Sequence, residues 1–114
     1  MKILIRGRVR AGAAVRAYVE RRLQFSLGRF SRRVERAVVH LDDVNGPRGG
    51  EDKVCRIEVR LRPSGNVFIE ESGSAVLAAV AGAAERVGRA VSRALDRRRS
   101  IDRALWTLLP RGAP

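Results

Sequence analysis

Cysteine and histidine are almost absent from this chain of 114 residues. Its one cysteine, Cys55, has no second cysteine with which to form an internal disulfide. Its one histidine, His40, cannot build a multi-residue metal site together with that thiol. The sequence therefore predicts neither a disulfide scaffold nor a metal centre, and we expect no cofactor.

Aromatic residues are also scarce, with three phenylalanines, one tyrosine and one tryptophan. Only Phe68 falls in a predicted strand. Because RNA-binding sheets stack bases on aromatic side chains of their strands, this scarcity disfavours a base-stacking sheet. Recognition of nucleic-acid backbone and shape fits the composition better.

Long hydrophobic runs are missing as well. No apolar run approaches the roughly 18 residues that a transmembrane helix needs. The first residues contain only three apolar positions between Lys2 and Arg6, too few for the apolar segment of a signal peptide. We therefore expect a cytoplasmic protein.

What the sequence has in excess is arginine. The chain carries 24 basic residues against 12 acidic ones, a net charge of +12, and all but two of the basic residues are arginine. The guanidinium group suits phosphate recognition, although a GC-rich genome would also favour arginine over lysine. The net charge itself indicates a polyanionic partner, with nucleic acid as the first candidate and an anionic membrane as the second.

Hydrophobic periodicity predicts the order of secondary structure. Strands are expected over 1–9, 34–44, 53–63 and 67–71, and helices over 12–33 and 74–99. The order β-α-β-β-β-α predicts an α+β sandwich, with two helices packed on one face of a four-stranded sheet. Residues 1–100 are expected to form a single domain and residues 101–114 a tail.

The predicted tail contains a cluster of large apolar residues: Leu105, Trp106, Leu108 and Leu109. They could fold back over the sheet edge or the helices, or they could anchor a partner protein. Of these two, folding back is the favoured interpretation.

Arginines of the last predicted helix recur at a spacing of three and four residues. This places them within an arc of roughly 80° on one flank, at a spacing comparable with that of backbone phosphates. A solvated helix face normally mixes signs, but residues 86–103 hold seven arginines and two acids. RNA binding is therefore favoured, with a looser basic group on the first helix. The candidate RNA-binding residues are Arg16, Arg22, Arg29, Arg33, Arg86, Arg89, Arg93, Arg97 and Arg98.

A second basic group lies on the predicted strands, where glutamates interrupt it. It could form another RNA surface, but cross-strand pairing with Glu58, Glu70 and Glu71 is the preferred interpretation. Its members are Arg6, Arg8, Arg10, Arg56, Arg60 and Arg62.

No constellation of catalytic residues is present. The tandem acids at 42–43 and 70–71 lie on strands, so each pair points to opposite faces and cannot act as a dyad. The glycine-rich segment 46–50 is not followed by the Gly-Lys-Ser/Thr of a nucleotide-binding loop. Cys55 is expected to fill the core and His40 to be structural, and we expect no enzyme.

The chain resembles the ribosome hibernation promoting factors, also described as ribosome-associated translation inhibitors or sigma-54 modulation proteins. The resemblance covers residues 1 to about 99 and rests on ILIRG at 3–7, VVHLDDV at 38–44, GPRGGEDKVCRI at 46–57, AAV at 78–80 and ERV at 85–87. In the family the last helix usually opens with an Asp and an aromatic or Met. Here the corresponding positions are Ala75, Leu77 and Ala81.

This resemblance implies a short-form protein that lacks a second, dimerising domain. It implies binding in the decoding channel of the small ribosomal subunit, contacts with ribosomal RNA through basic helix surfaces, and steric inhibition of messenger and transfer RNA binding. The expected partners are the small subunit and its rRNA; no membrane partner is expected, and a homodimer stays open. Two alternatives remain: a general double-stranded-RNA-binding module, and a protein-interaction adaptor that acts through the tail.

Overall fold

The computed structural model of the chain describes residues 1–43 and 53–108. Its strands are β1 (Lys2–Arg6), β2 (Val34–Asp43), β3 (Lys53–Leu61) and β4 (Asn66–Gly73). Its helices are α1 (Ala13–Leu27) and α2 (Val76–Leu108), and a short 3-10 helix over Gly28–Phe30 follows α1. The predicted α+β class and the β-α-β-β-β-α order are confirmed.

The four strands form one mixed sheet in the order β1-β2-β3-β4. Strand β1 runs parallel to β2, because α1 carries the chain back across the sheet between them. Strand β2 is antiparallel to β3, and β3 to β4. The predicted hairpin between β3 and β4 is confirmed; Leu61 N–H donates to the carbonyl of Gly65 at 2.8 Å, and Gly65 adopts a positive φ of 105°.

Alternation along the strands gives the sheet one apolar and one polar face. Across the sheet, Val39, Ile57 and Ile69 lie in register on the side that both helices cover. The helices contribute fully buried residues from three- and four-residue spacings: Val19, Leu23 and Leu27 from α1, and Val80, Ala83, Val87 and Val91 from α2. The opposite sheet face is open and carries most of the charged side chains of the strands.

The predicted role of Cys55 is confirmed, because its side chain is fully buried in this core. Burial disfavours the charged thiolate and raises the pKa of the thiol to about 12. His40 is half-buried on β2, opposite Arg56 of β3.

Each of the two helices ends at a residue other than the one predicted from the sequence. Helix α1 ends at Leu27, not near residue 33, since the chain tightens into a 3-10 turn at Gly28. Helix α2 continues to Leu108, past the predicted end near residue 99. No glycine or proline occurs between residues 89 and 108, so nothing in the sequence breaks the helix there.

The preferred interpretation of the tail, folding back on the fold, is wrong for its described residues. Leu105, Trp106 and Leu108 extend α2 beyond the sheet and are exposed, Trp106 by 75%. Leu109 and the glycine-rich segment 46–50 lie outside the described residues. The division into a domain over 1–100 and a tail stays a prediction.

Candidate nucleic-acid interface

The excess positive charge is concentrated on the helices. The helical segments 13–33 and 76–108 hold thirteen arginines and four acidic residues, a net charge of +9. The other described segments, 1–12, 34–43 and 53–75, hold nine basic and six acidic residues, a net charge of +3. We call the two helices and the turn after α1 (residues 13–33 and 76–108) the helix layer; its outward face is the candidate polyanion-binding surface.

Two of the strand arginines are paired across the sheet. Arg56 Nε lies 3.3 Å from Oε1 of Glu70, its direct cross-strand neighbour. Arg60 Nε lies 3.3 Å from Oε2 of Glu35. The preferred interpretation of cross-strand pairing is therefore confirmed for Arg56 and Arg60, although the partners are Glu70 and Glu35, and Glu58 takes no part.

For the remaining strand arginines that interpretation is wrong as far as the described residues go. The guanidinium groups of Arg6, Arg8, Arg10 and Arg62 pair with no carboxylate within residues 1–43 and 53–108. All four side chains are exposed. They lie at strand ends and in turns; Arg8 comes near Asp42, but it is the backbone N–H of Arg8 that donates to Asp42 Oδ1, at 3.0 Å.

The predicted arginines of α2 fall into two groups: some bond the sheet, and others are free to contact a ligand. Arg86 turns toward the edge of the sheet, where its Nη1 donates to the carbonyl of Glu70 and to Oε2 of Glu71, both at 2.9 Å. Arg98 donates to the carbonyl and the hydroxyl of Ser64 in the β3–β4 turn, at 2.9 and 3.1 Å. These two guanidinium groups hold α2 on β4 and its turn.

Arg93 and Arg97, in contrast, are exposed and unpaired. Among the described residues, neither side chain makes a hydrogen bond or an ion pair. Arg89 pairs only with Glu85 one turn away, at 3.6 Å, and both side chains are well exposed, so the pair contributes little stability. Three of the predicted arginines of α2 thus remain accessible to a ligand.

The predicted arginines of α1 and the turn after it differ in their contacts. Arg16 and Arg33 bond backbone carbonyls of Ala11 and Arg62 at 3.3 and 3.1 Å. Arg22 donates from Nη2 to the carbonyl of Ala81 on α2 at 3.3 Å, while its Nε is buried without a partner among the described residues. Arg29 is exposed and lies over the ring of Phe30, 4.6 Å from the centroid, in a cation–π contact.

The two helices approach each other closely at Ser26 and Gly88. A Cβ atom on Gly88 would lie 3.1 Å from the Ser26 carbonyl oxygen, so glycine permits this close approach. A groove opens beside this crossing, and it brings together residues of both helices. It is lined by Arg22, Phe25, Ser26, Arg29, Glu85, Gly88 and Arg89.

A second hollow adjoins the groove and shares Arg29 with it. Its lining adds two arginines absent from the predicted set, Arg32 and Arg99, together with Asp96. Arg32 lies in the turn after α1, and Arg99 lies off the predicted flank of α2. Arg32 and Arg99 lie near each other only because of the way in which α1 and α2 pack together.

Phe25 is the other feature that sequence reasoning missed. Its side chain lines the groove and is 88% exposed. The scarcity of aromatic residues on the predicted strands disfavours a base-stacking sheet but says nothing about a ring on a helix. The available signal was its position two residues from the buried Leu23, which places Phe25 about 200° around the helix from the core.

The described residues also bear on two other kinds of site, a metal site and a membrane-spanning helix. Within residues 1–43 and 53–108, His, Cys, Asp and Glu side chains form no group of three that could hold a metal ion. The helices described also lack the combination of length and apolarity that crossing a membrane requires.

Comparisons with known proteins agree with the architecture. The family model described as sigma 54 modulation protein / S30EA ribosomal protein matches residues 3–99. The crystal structure of the Thermus thermophilus Protein Y N-terminal domain is similar, with 30% identity, a TM-score of 0.67, and coverage of 82% of this chain and 98% of that one. A ribosomal subunit interface protein from Coxiella burnetii shares the fold at 16% identity, with a TM-score of 0.69 and coverage of 84% and 99%. A comparison with curated protein sequences gave no match.

Proposed function

The chain belongs to the sigma 54 modulation protein / S30EA ribosomal protein family, and on that basis we propose that it binds the small ribosomal subunit and inhibits translation. The contact is with ribosomal RNA in the decoding channel. The outward face of the helix layer makes this contact, and the protein acts in the cytoplasm as a hibernation factor without catalysing a reaction.

One observation carries the proposal: a net charge of +9 lies on the helix layer, with accessible guanidinium groups at Arg93, Arg97 and Arg29. An RNA backbone presents phosphates at a spacing that arginines one helical turn apart can follow. The sheet arginines Arg56 and Arg60 already have carboxylate partners, so they offer less to a second anion.

The mechanism is steric. A folded domain held on the rRNA of the decoding channel occupies the volume that messenger and transfer RNA require. Residues 1–100 suffice for this action, and no cofactor takes part. Affinity comes mainly from phosphate contacts, and position comes from the shape of the RNA around the helix layer.

Co-sedimentation with purified small subunits tests the proposal. The test variant is Arg93→Glu/Arg97→Glu, which reverses two unpaired charges on the helix layer. The control is Lys2→Glu/Arg36→Glu, which makes the same change in net charge at neighbouring positions on the open sheet face. Neither control residue makes an ion pair among the described residues, so no internal contact is lost.

The helix-layer variant is expected to lose most of its subunit binding, whereas the sheet-face variant keeps it. Equal binding by both variants, or no binding by the unchanged protein at low salt, contradicts the proposal. A short RNA duplex that displaces the protein from subunits at a similar concentration favours a general double-stranded-RNA-binding module instead.

A second candidate function, that of a protein-interaction adaptor, is favoured by the exposed end of α2. Ile101, Leu105, Trp106 and Leu108 are all more than half exposed. An adaptor would lose its partner when residues 101–114 are deleted, while subunit binding through the helix layer would persist. Comparing both activities of the truncated protein separates the two functions.

A further inference from the structure

We propose that Phe25 is a stacking platform for an unpaired nucleobase, placed in the basic groove between α1 and α2. This inference rests on the proposed function, and it specifies how the helix layer contacts RNA. It adds an aromatic contact to a surface whose sequence indicated phosphate contacts alone.

The fold does not use the ring of Phe25. Leu23 and Leu27 on either side of it are fully buried, whereas Phe25 is 88% exposed. Helix geometry fixes this difference, because a residue two positions from a core residue lies on the opposite side of the helix. The phenyl ring therefore gains contact area only when a ligand covers it.

The surroundings of the ring favour a negatively charged ligand. Arg22 and Arg29 of the groove lie three residues before and four residues after Phe25, and Arg89 lies across the groove on α2. Glu85 is the one acidic residue in the lining, and it is paired with Arg89 at 3.6 Å. A nucleotide whose base covers Phe25 would thus have cationic groups near its phosphate.

The floor of the groove is fixed by the helix crossing. Ser26 packs against Gly88, and its hydroxyl donates to the carbonyl of Arg22 at 2.7 Å. These contacts fix the part of the α1 backbone that carries Phe25. The backbone of the platform is therefore in place before any ligand binds. The adjoining hollow with Arg32 and Arg99 extends the basic surface for neighbouring phosphates.

An unpaired base fits these features better than a duplex or a protein. In a duplex both faces of each base are covered by its neighbours, so a side chain cannot stack on them. A protein contact would be expected to extend over several apolar residues. None of the other exposed large hydrophobic residues among those described lines this groove.

Fluorescence of a short single-stranded RNA containing 2-aminopurine tests the inference. Stacking quenches this base, so the unchanged protein and Phe25→Tyr are expected to quench it at saturation. Phe25→Leu keeps an apolar side chain without a ring, and Phe25→Ala removes both. We expect these two variants to bind the RNA about tenfold more weakly or worse and to lose the quenching.

The matched control is Phe68→Ala. Phe68 is also exposed, by 59%, but it lies on the open sheet face opposite Glu58. Its replacement is expected to leave affinity and quenching unchanged. Thermal unfolding of every variant, which should match the unchanged protein, verifies that the surface substitutions leave the fold intact.

Two outcomes overturn the stacking inference: quenching by Phe25→Leu equal to that of the unchanged protein, or no quenching by the unchanged protein. If Phe25→Leu also binds small subunits normally while Arg93→Glu/Arg97→Glu does not, stacking is wrong and the proposed function stands. If Phe25-dependent quenching occurs but the unchanged protein does not bind subunits, the proposed function fails.

Discussion

At the scale of single residues, Gly7 is the described glycine at which an added Cβ would meet the shortest contact. It follows β1 with a φ of 116°, and a Cβ there would lie 2.3 Å from the carbonyl oxygen of Leu41. The positive φ and the close approach both require glycine. Beyond it, Val9 N–H donates to that same carbonyl at 3.0 Å, so the chain still follows β2 after the turn.

Replacing Gly7 with alanine is expected to lower the free energy of unfolding by about 2–4 kcal/mol, because the backbone must shift to relieve the clash. Gly28→Ala is the control. Gly28 has a helical φ of −56° and no atom within 4 Å of an added Cβ, so this variant should be unchanged or more stable by about 0.5–1 kcal/mol. Urea denaturation measures both, and equal stability of the two variants would refute the role of Gly7.

The thiol of Cys55 gives a second residue-scale prediction. Because the side chain is fully buried and its pKa is raised to about 12, iodoacetamide should alkylate it in the native protein only through unfolding. The same reagent should react readily in denaturant. Between the unfolded pKa near 9.0 and the folded pKa near 12, rising pH favours ionisation of the unfolded state and lowers stability. Rapid native alkylation at pH 8, unaffected by denaturant, would contradict the burial.

At the scale of elements, α2 consists of two parts with different environments. Its first part places Val80, Val87 and Val91 against the sheet. From residue 101 onward every described side chain is exposed. The helix is about 50 Å long at 1.5 Å per residue, which carries its end past the sheet.

Deleting residues 101–114 should therefore change the free energy of unfolding by less than about 0.5 kcal/mol. Val91→Ala, a small truncation in the packed part of the same helix, should cost about 2 kcal/mol because it leaves a cavity. Urea denaturation of both variants makes the comparison. A deletion that destabilises as much as Val91→Ala would mean that the end of α2 supports the fold.

The elements themselves were largely predictable, but their ends were not. Alternation over β3 predicted its first residue, Lys53, and its buried face, which carries Cys55, Ile57 and Val59, but placed its end at residue 63 instead of Leu61. The extent of α2 was underestimated because the sheet ends before the helix does, and sequence periodicity does not reveal where a partner surface stops. The prediction that Trp106 folds back was wrong for the same reason, because its exposure depends on where the sheet ends.

At the scale of the whole molecule, the fold separates the net charge into a strongly basic helix layer and a more balanced sheet. Arg93 and Arg97 were predicted from the sequence as RNA-binding residues because they share one flank of one helix. Phe25, in the groove, and Arg32 and Arg99, in the adjoining hollow, were not, because these surfaces form only where α1 packs beside α2. Arg86 was indistinguishable from Arg93 by spacing, yet it bonds β4. Arg98, predicted with them, bonds the β3–β4 turn.

This separation predicts how salt affects binding to the small subunit. The logarithm of the association constant should fall linearly with the logarithm of salt concentration, by about 0.7–0.9 per phosphate contact. Arg93→Gln/Arg97→Gln should reduce the slope by about 1.4–1.8, whereas Lys2→Gln/Arg36→Gln should leave it unchanged. Titrations at several salt concentrations measure the slopes, and equal slopes for both variants would contradict a helix-layer contact.

A cryo-electron microscopy reconstruction of the protein bound to purified small ribosomal subunits tests the assignment of the helix layer most directly. The predicted result is density in the decoding channel, with α1 and α2 against ribosomal RNA, Arg93 and Arg97 at phosphates, and the open sheet face turned away. Density that places the open sheet face or the exposed end of α2 on the subunit, with the helix layer in solvent, would contradict it.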